Sequence, residues 1–250
     1  MAGKPTRQIA GLLPGRDVPM SPRDLPLTVC HPWDLAPAQA IALQRELAGR
    51  FQFADEPQAL TSVGGVDVGV RHNVARAAVA VLRYPELEII EQSTAEQPVA
   101  FPYVPGLLSF REAPAILAAL ERLDALPDVL IFDGQGYAHP RRMGIATHLG
   151  ILLDRPTVGC AKSRLCGIAP EPDLERGSYA WLRDGDEVIG AVVRTRTRVR
   201  PVYVSVGHKM RLERAITLIL SCTRGFRLPE PIRWAHRLAS EQRMDELPRP

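Results

Sequence analysis

Residues 63–70, VGGVDVGV, and 75–83, ARAAVAVLR, are two β-patterned runs separated by a short polar link containing His72 and Asn73. Such a pair predicts a β-hairpin. Leu87–Gln97 continues as a third strand. Helical and strand patterns then alternate. Ala115–Leu126 reads as a helix, Val129–Asp133 as a short apolar strand and Arg141–Leu153 as a helix, with Ile145, Leu149, Leu152 and Leu153 on one face. Thr157–Cys160 reads as a strand, Ser178–Arg183 with Glu187–Arg194 as a hairpin, and Pro201–Ser205 as a strand. Leu212–Cys222 and Pro231–Ala239 read as helices. Upstream, Pro37–Phe53 reads as a first helix with Ile41, Leu43 and Leu47 facing the core. A hairpin followed by alternating elements predicts an α/β fold, with helices packed on a mixed sheet.

The chain has 250 residues, 46% hydrophobic and 24% charged, enough for one large domain with a real core. We place that domain at residues 31–240. Residues 1–30 are rich in Pro, Gly and Arg without a period and predict a flexible extension; 241–250 predicts a loose tail. The four cysteines, Cys30, Cys160, Cys166 and Cys222, form no C-x-x-C pair and have no histidine at zinc-finger spacing. They read as reduced thiols of a cytoplasmic protein and argue against a disulfide scaffold or a structural zinc. No apolar run has transmembrane or signal-peptide length. A net charge of +3 permits a nucleic-acid partner without requiring one.

Two aspartates carry the chemistry. In GGVDVGV, residues 64–70, side chains alternate faces, so Asp67 stands between Gly65 and Gly69, leaving room beside its carboxylate. The structural alternative is a buried Asp bonded to backbone, although Asp is disfavoured in strands. In VLIFDGQGYAHPRR, residues 129–142, Asp133 ends an apolar strand before a Gly-rich turn, where open α/β sheets bind ligands. Its structural alternative is an Asp that starts the turn.

The segment FPYVPGLLSFRE, residues 101–112, adds a third carboxylate and an awkward aromatic. Pro102 and Pro105 stiffen the turn around Tyr103, which cannot easily fold into a core. Ser109 to Glu112 fits a capping box, which would commit Glu112 to a backbone N–H. Pro114 opposes that, since a proline suits the start of a helix, leaving Glu112 free at its mouth. Carboxylates converging from Asp67, Asp133 and Glu112 would repel unless a cation joined them, and Mg²⁺ with carboxylate ligands serves phosphodiester hydrolysis.

PYVPGLLSFRE (102–112), GGVDVGV, DGQGYAHPRRMGIATHLGILLDRPTVGCAKSRL (133–165) and GFRLPEPIRWAH (225–236) together resemble the endonuclease V (deoxyinosine 3′-endonuclease) family from about Leu35 to Ser240. The resemblance implies a ribonuclease H-like fold, with a mixed five-stranded sheet flanked by helices on both faces. It implies a DNA repair enzyme that hydrolyses the second phosphodiester bond 3′ to deoxyinosine or another deaminated purine, leaving a 3′-hydroxyl and a 5′-phosphate. Mg²⁺ would be the cofactor, with Mn²⁺ able to substitute. Asp67, Asp133 and Glu112 look like the metal-binding carboxylates, Lys162 like the active-site lysine, and His236 matches a position that is His or Asp among members. Pro102, Tyr103, Val104 and Pro105 resemble a DNA wedge.

Base recognition requires the nucleotide to leave the stack. Gly106, Leu107 and Leu108 would offer backbone N–H donors to its 6-oxygen, Gly136 would let the base approach, and His139 would either contact it or hold the turn. Arg194, Arg196, Arg198 and Arg200, if extended, would place four cations on one face, either to track phosphates or as a charged sheet edge. The expected partner is DNA containing deoxyinosine, acted on by a monomer with no obligate protein partner and no membrane. The other readings are an inosine-specific endoribonuclease, or a non-catalytic binder. The presence of Asp67, Glu112, Asp133 and Lys162 argues against the binder.

Overall fold

The structure, a computed structural model, describes residues 25–53 and 59–240. Most of the expected extension, residues 1–24, and the expected tail, 241–250, lie outside the described residues. Residues 25–30, assigned to the extension, lie against the body: Thr28 N–H donates to Leu152 O, and Leu25 and Leu27 pack on the core.

The hairpin forms as expected. β1 (Ser62–Arg71) pairs antiparallel with β2 (Val74–Arg83), and β2 with β3 (Ile89–Pro98). The link is a two-residue turn with His72 and Asn73 both at positive φ, a twist that suits paired strands. β4 (Val129–Phe132) lies parallel to β1, with Val66 opposite Phe132, and β5 (Thr157–Ala161) lies parallel to β4. β6 (Tyr179–Asp184), β7 (Glu187–Val193) and β8 (Val202–His208) complete one sheet in the order β3-β2-β1-β4-β5-β8-β7-β6. The sheet is mixed, as expected, but has eight strands where the resemblance implied five. The extra strands arise because β8 pairs antiparallel with β5 and carries the predicted β6–β7 hairpin.

Helices cover both faces. α2 (Leu108–Leu120) and α3 (Ile145–Leu153) pack on the face that holds Val66, Leu130 and Phe132. α4 (Leu212–Ser221) and α5 (Glu230–Ser240) pack on the face that holds Val63, Val129 and Ile131. β4 is buried on both sides, which is why it reads as an unbroken apolar run. α1 (Pro37–Ala48) ends before the predicted Phe53 and buries Ala40, Gln44 and Leu47, while Ile41 and Leu43 are half-buried.

α2 begins earlier than expected. Leu108 is its first residue, Pro114 sits inside it and Glu112 lies in its second turn, not at its mouth. An interior proline costs about 3 kcal/mol. Burial of Phe110, Ile116 and Leu120, each contributing about 1.5–3 kcal/mol, outweighs that. The capping box does not form either: Ser109 lies within the helix and its hydroxyl meets His148 Nδ1 at 2.8 Å.

The arginine stripe does not exist as a strand. β7 stops at Val193, and Arg198 takes a positive φ. Arg194 is buried, donating to Asp173 O, Val199 O, Pro172 O and Glu171, so it ties the loop together.

Candidate active site

Three adjacent parallel strands deliver three charged side chains to one edge of the sheet. Asp67 lies mid-way along β1, level with the carboxyl end of β4 (Val66 pairs with Phe132), Asp133 is the residue after β4, and Lys162 is the residue after β5. Carboxyl ends of parallel strands open onto the crevice where α/β proteins bind ligands. Lys162 Nζ donates to Asp133 Oδ2 at 2.5 Å. Asp133 is nearly buried, and burial raises its carboxyl above the usual range against the opposing pull of Lys162.

The room beside Asp67 is real, and α5 occupies it. A Cβ on Gly65 would lie 2.1 Å from the backbone of Pro231, so only glycine lets α5 approach β1 this closely. One helical turn beyond Ile232, His236 then meets Asp67, Nδ1 to Oδ2, at 2.6 Å. The imidazole is 56% exposed, and Nε2 has no partner among the described residues. Nδ1 carries the proton in this contact, because an ionised carboxylate only accepts.

Glu112 reaches the same place from α2. Burial, then Asp67, then Asp133 push its carboxyl up to about 8, with Arg111 opposing. Three carboxylates thus share one poorly solvated region. Among the described residues no set of three His, Cys, Asp or Glu side chains is already gathered as a ligand cluster; Asp133 is engaged by Lys162 and Asp67 by His236. The charge crowding and hard oxygen donors nevertheless fit a divalent cation.

Next to this edge lies a cavity of about 360 Å³, within the range of ligand pockets. Asp133 and Lys162 line one part, and Tyr103, Gly106, Leu108 and His139 another. Tyr103 is 73% exposed at its rim, with Pro102 and Pro105 also exposed and Val104 half-buried. Gly106 takes φ +79, and its carbonyl accepts from Gln44 Nε2 at 3.0 Å, His139 Nε2 at 3.0 Å and Arg141 Nη2 at 2.8 Å. The stiff turn is therefore anchored at its base to α1 and to the loop after β4.

The predicted base-reading residues divide. Gly106 and Leu108 line the cavity, and their N–H groups have no partner among the described residues, whereas Leu107 is buried and its N–H donates to Val104 O. Gly136 does not face the cavity. It is a glycine because β8 passes over it: a Cβ there would lie 2.2 Å from Val206 O. His139 is buried and neutral. Its Nδ1 accepts from the N–H groups of Arg141 and Met143, and burial, helped by Arg141, pushes it down to about 4. It holds the turn as well as lining the cavity.

Sequence reasoning missed Gln44 and Arg141, which brace the turn around Tyr103, and Gln135, Ser163 and Leu165 in the cavity wall. Gln44 left one signal: a polar residue one turn before the core residue Leu47.

The Endonuclease V family model matches residues 45–237. Endonuclease V of Methanothrix thermoacetophila is 54% identical over 211 residues, covering 84% of this chain and 93% of that protein. The crystal structure of endonuclease V from Streptomyces avermitilis superposes with TM-score 0.79 at 41% identity, over 83% of this chain and 92% of that one. Endonuclease V of Ciona intestinalis, in complex with a 23mer DNA containing an inosine followed by a ribo-adenosine, superposes with TM-score 0.72 at 31% identity, over 81% and 94%.

Proposed function

Because this chain belongs to the endonuclease V family and is a nuclease, we propose that it hydrolyses the second phosphodiester bond 3′ to a deoxyinosine, leaving a 3′-hydroxyl and a 5′-phosphate. The observation that carries this reading is the convergence of Asp67, Asp133, Glu112, Lys162 and His236 beside a cavity rimmed by an exposed Tyr103.

Asp67, Asp133 and Glu112 would hold a divalent cation, for which Mg²⁺ is the first choice and Mn²⁺ a substitute. Such a cation, when bound, would supply positive charge to offset the charge that develops on the phosphoryl oxygens. Lys162 places its ammonium beside Asp133 and faces the same developing charge. With Nδ1 donating to Asp67, Nε2 of His236 keeps its lone pair and can take the proton of the attacking water. Tyr103 fills the stack vacated by the lesion nucleotide, and the cavity receives the base.

The test is cleavage of matched DNA and RNA oligonucleotides, each carrying one inosine, with Mg²⁺ and with chelator. The expected result is one nick in the DNA, at the second bond 3′ to the lesion, only with Mg²⁺. Cleavage confined to the RNA would convert the reading to an inosine-specific endoribonuclease. No cleavage of either would refute both.

A further inference from the structure

Residues 25–35 form a strap that lies against α2 and α3. Half-buried and exposed residues alternate along it, and the half-buried ones are Leu25, Leu27, Val29, His31, Trp33 and Leu35. One polar ring thus stands among apolar side chains. The strap is tied at two points. Thr28 donates its N–H to Leu152 O at 2.8 Å and its hydroxyl to Ile151 O at 2.9 Å, at the end of α3. His31 Nε2 meets His148 Nε2 at 2.8 Å, and His148 Nδ1 meets Ser109 Oγ at 2.8 Å in the first turn of α2. His148 and Ser109 are buried, and Ser109 also lines the cavity.

The hydrogens of this relay are fixed by its outer end. His31 Nδ1 lies 2.9 Å from Pro32 O, which only accepts, so Nδ1 carries the proton. In the neutral ring Nε2 therefore accepts from the N–H of His148 Nε2, and His148 Nδ1 accepts from the Ser109 hydroxyl. A proton on His31 Nε2 would set N–H against N–H. No acid stands ready to hold the resulting cation. α3 offers no titratable group except His148, and Arg111 of α2 is engaged with Phe101 O. Arg45 of α1 lies towards Arg141, while Glu46 lines the shallow pocket beside His31. The strap adds Cys30 and Asp34, and no carboxylate pairs with His31 among the described residues. Burial holds the imidazole below its ordinary 6.5, with Pro32 O opposing. The strap's contribution is therefore whole above that value and is lost as pH falls below it.

We propose that His31 is a positioning residue that acid releases: as a neutral acceptor it locks the first turn of α2, and with it the turn around Tyr103 and the helix that carries Glu112, and on taking up a proton it lets go of His148 and frees the strap. The device is independent of which nucleic acid is cut.

The test is hydrogen exchange of the full chain, corrected for the intrinsic effect of pH and read on peptides covering 25–35 and 101–112, with α4 as the check on folding. In wild type, protection of both peptides is expected to fall together by about 10-fold between about pH 7.5 and about pH 5, while α4 stays protected. The ring-nitrogen shifts of His31 should titrate with the same midpoint. His31→Gln, whose amide oxygen accepts without taking a proton, is expected to abolish the pH dependence. His31→Leu, which leaves the His148 N–H unmet, should expose both peptides at either pH. Wild-type protection that ignores pH overturns the proposal, as does a His31 midpoint that differs from that of the protection. The same fall in His31→Gln overturns it too, and would pass the effect to Asp34 or Glu46. Loss confined to 25–35 overturns the positioning of α2.

Discussion

Glu112 is the side chain on which the charge balance of the site turns. Its carboxyl is pushed up to about 8 from an ordinary 4.5, by burial first and then by Asp67 and Asp133. Between those values the folded chain keeps a proton that the unfolded chain has released, so metal-free stability falls as pH rises through that window. Glu112→Gln, which cannot ionise, should lose this contribution. In chelator, the melting temperature of wild type should fall relative to the variant from about pH 4.5 to about pH 8, with Mg²⁺ restoring wild type but not the variant. Parallel profiles would mean that Glu112 is not crowded by its neighbours. At this scale Asp67, Asp133 and Tyr103 were legible, because each breaks a local rule: an acid in a strand, an acid at a strand end, an aromatic between prolines. Gln44 was not. Its role lies in bonds to Gly106 O and Met143 O, and those partners depend on what the fold brings alongside.

The strands and the amphipathic helices were legible as elements because their periods are imposed by burial. The start of α2 was not, because Pro114 argued for a later beginning and tertiary packing overrode it. The two glycines around Asp67 were seen as open space, but a sequence does not say what enters such a space. Here it is α5, the helix that carries His236. Gly65→Ala should therefore push α5 off β1. The expected cost is about 1–3 kcal/mol by overpacking, seen in thermal melts. Nicking should fall further than lesion binding, since the displaced helix carries His236, the proposed proton acceptor, and does not line the proposed base pocket. Unchanged stability would show that α5 does not need this close approach.

Across the whole molecule, the site is a consequence of strand order. β1, β4 and β5 are neighbours and parallel, so Asp67, Asp133 and Lys162 arrive side by side although 95 residues separate the first from the last. That adjacency was implied by the family resemblance rather than by any local pattern; the antiparallel β8-β7-β6 extension was legible only as strands without a sheet. The proposed roles of Tyr103 and of the carboxylate edge should be separable by substrate. Tyr103→Ala is expected to reduce cleavage of a lesion in duplex DNA about 10-fold more than the same lesion in single strand, because unstacking costs a few kcal/mol only where a stack exists. Equal loss on both would reduce Tyr103 to a packing residue. The Gly106 carbonyl gives that arrangement a further property. Gln44, His139 and Arg141 all converge on this one oxygen, and two of them belong to the loop that begins at Asp133. The turn that would detect damage and the carboxylate that would help to cut are thus mounted on a common pin. Such a mounting would work as a fixed gauge: under the proposed function, the interval between lesion and nick would be set by the protein's own dimensions and stay constant from one DNA sequence to the next.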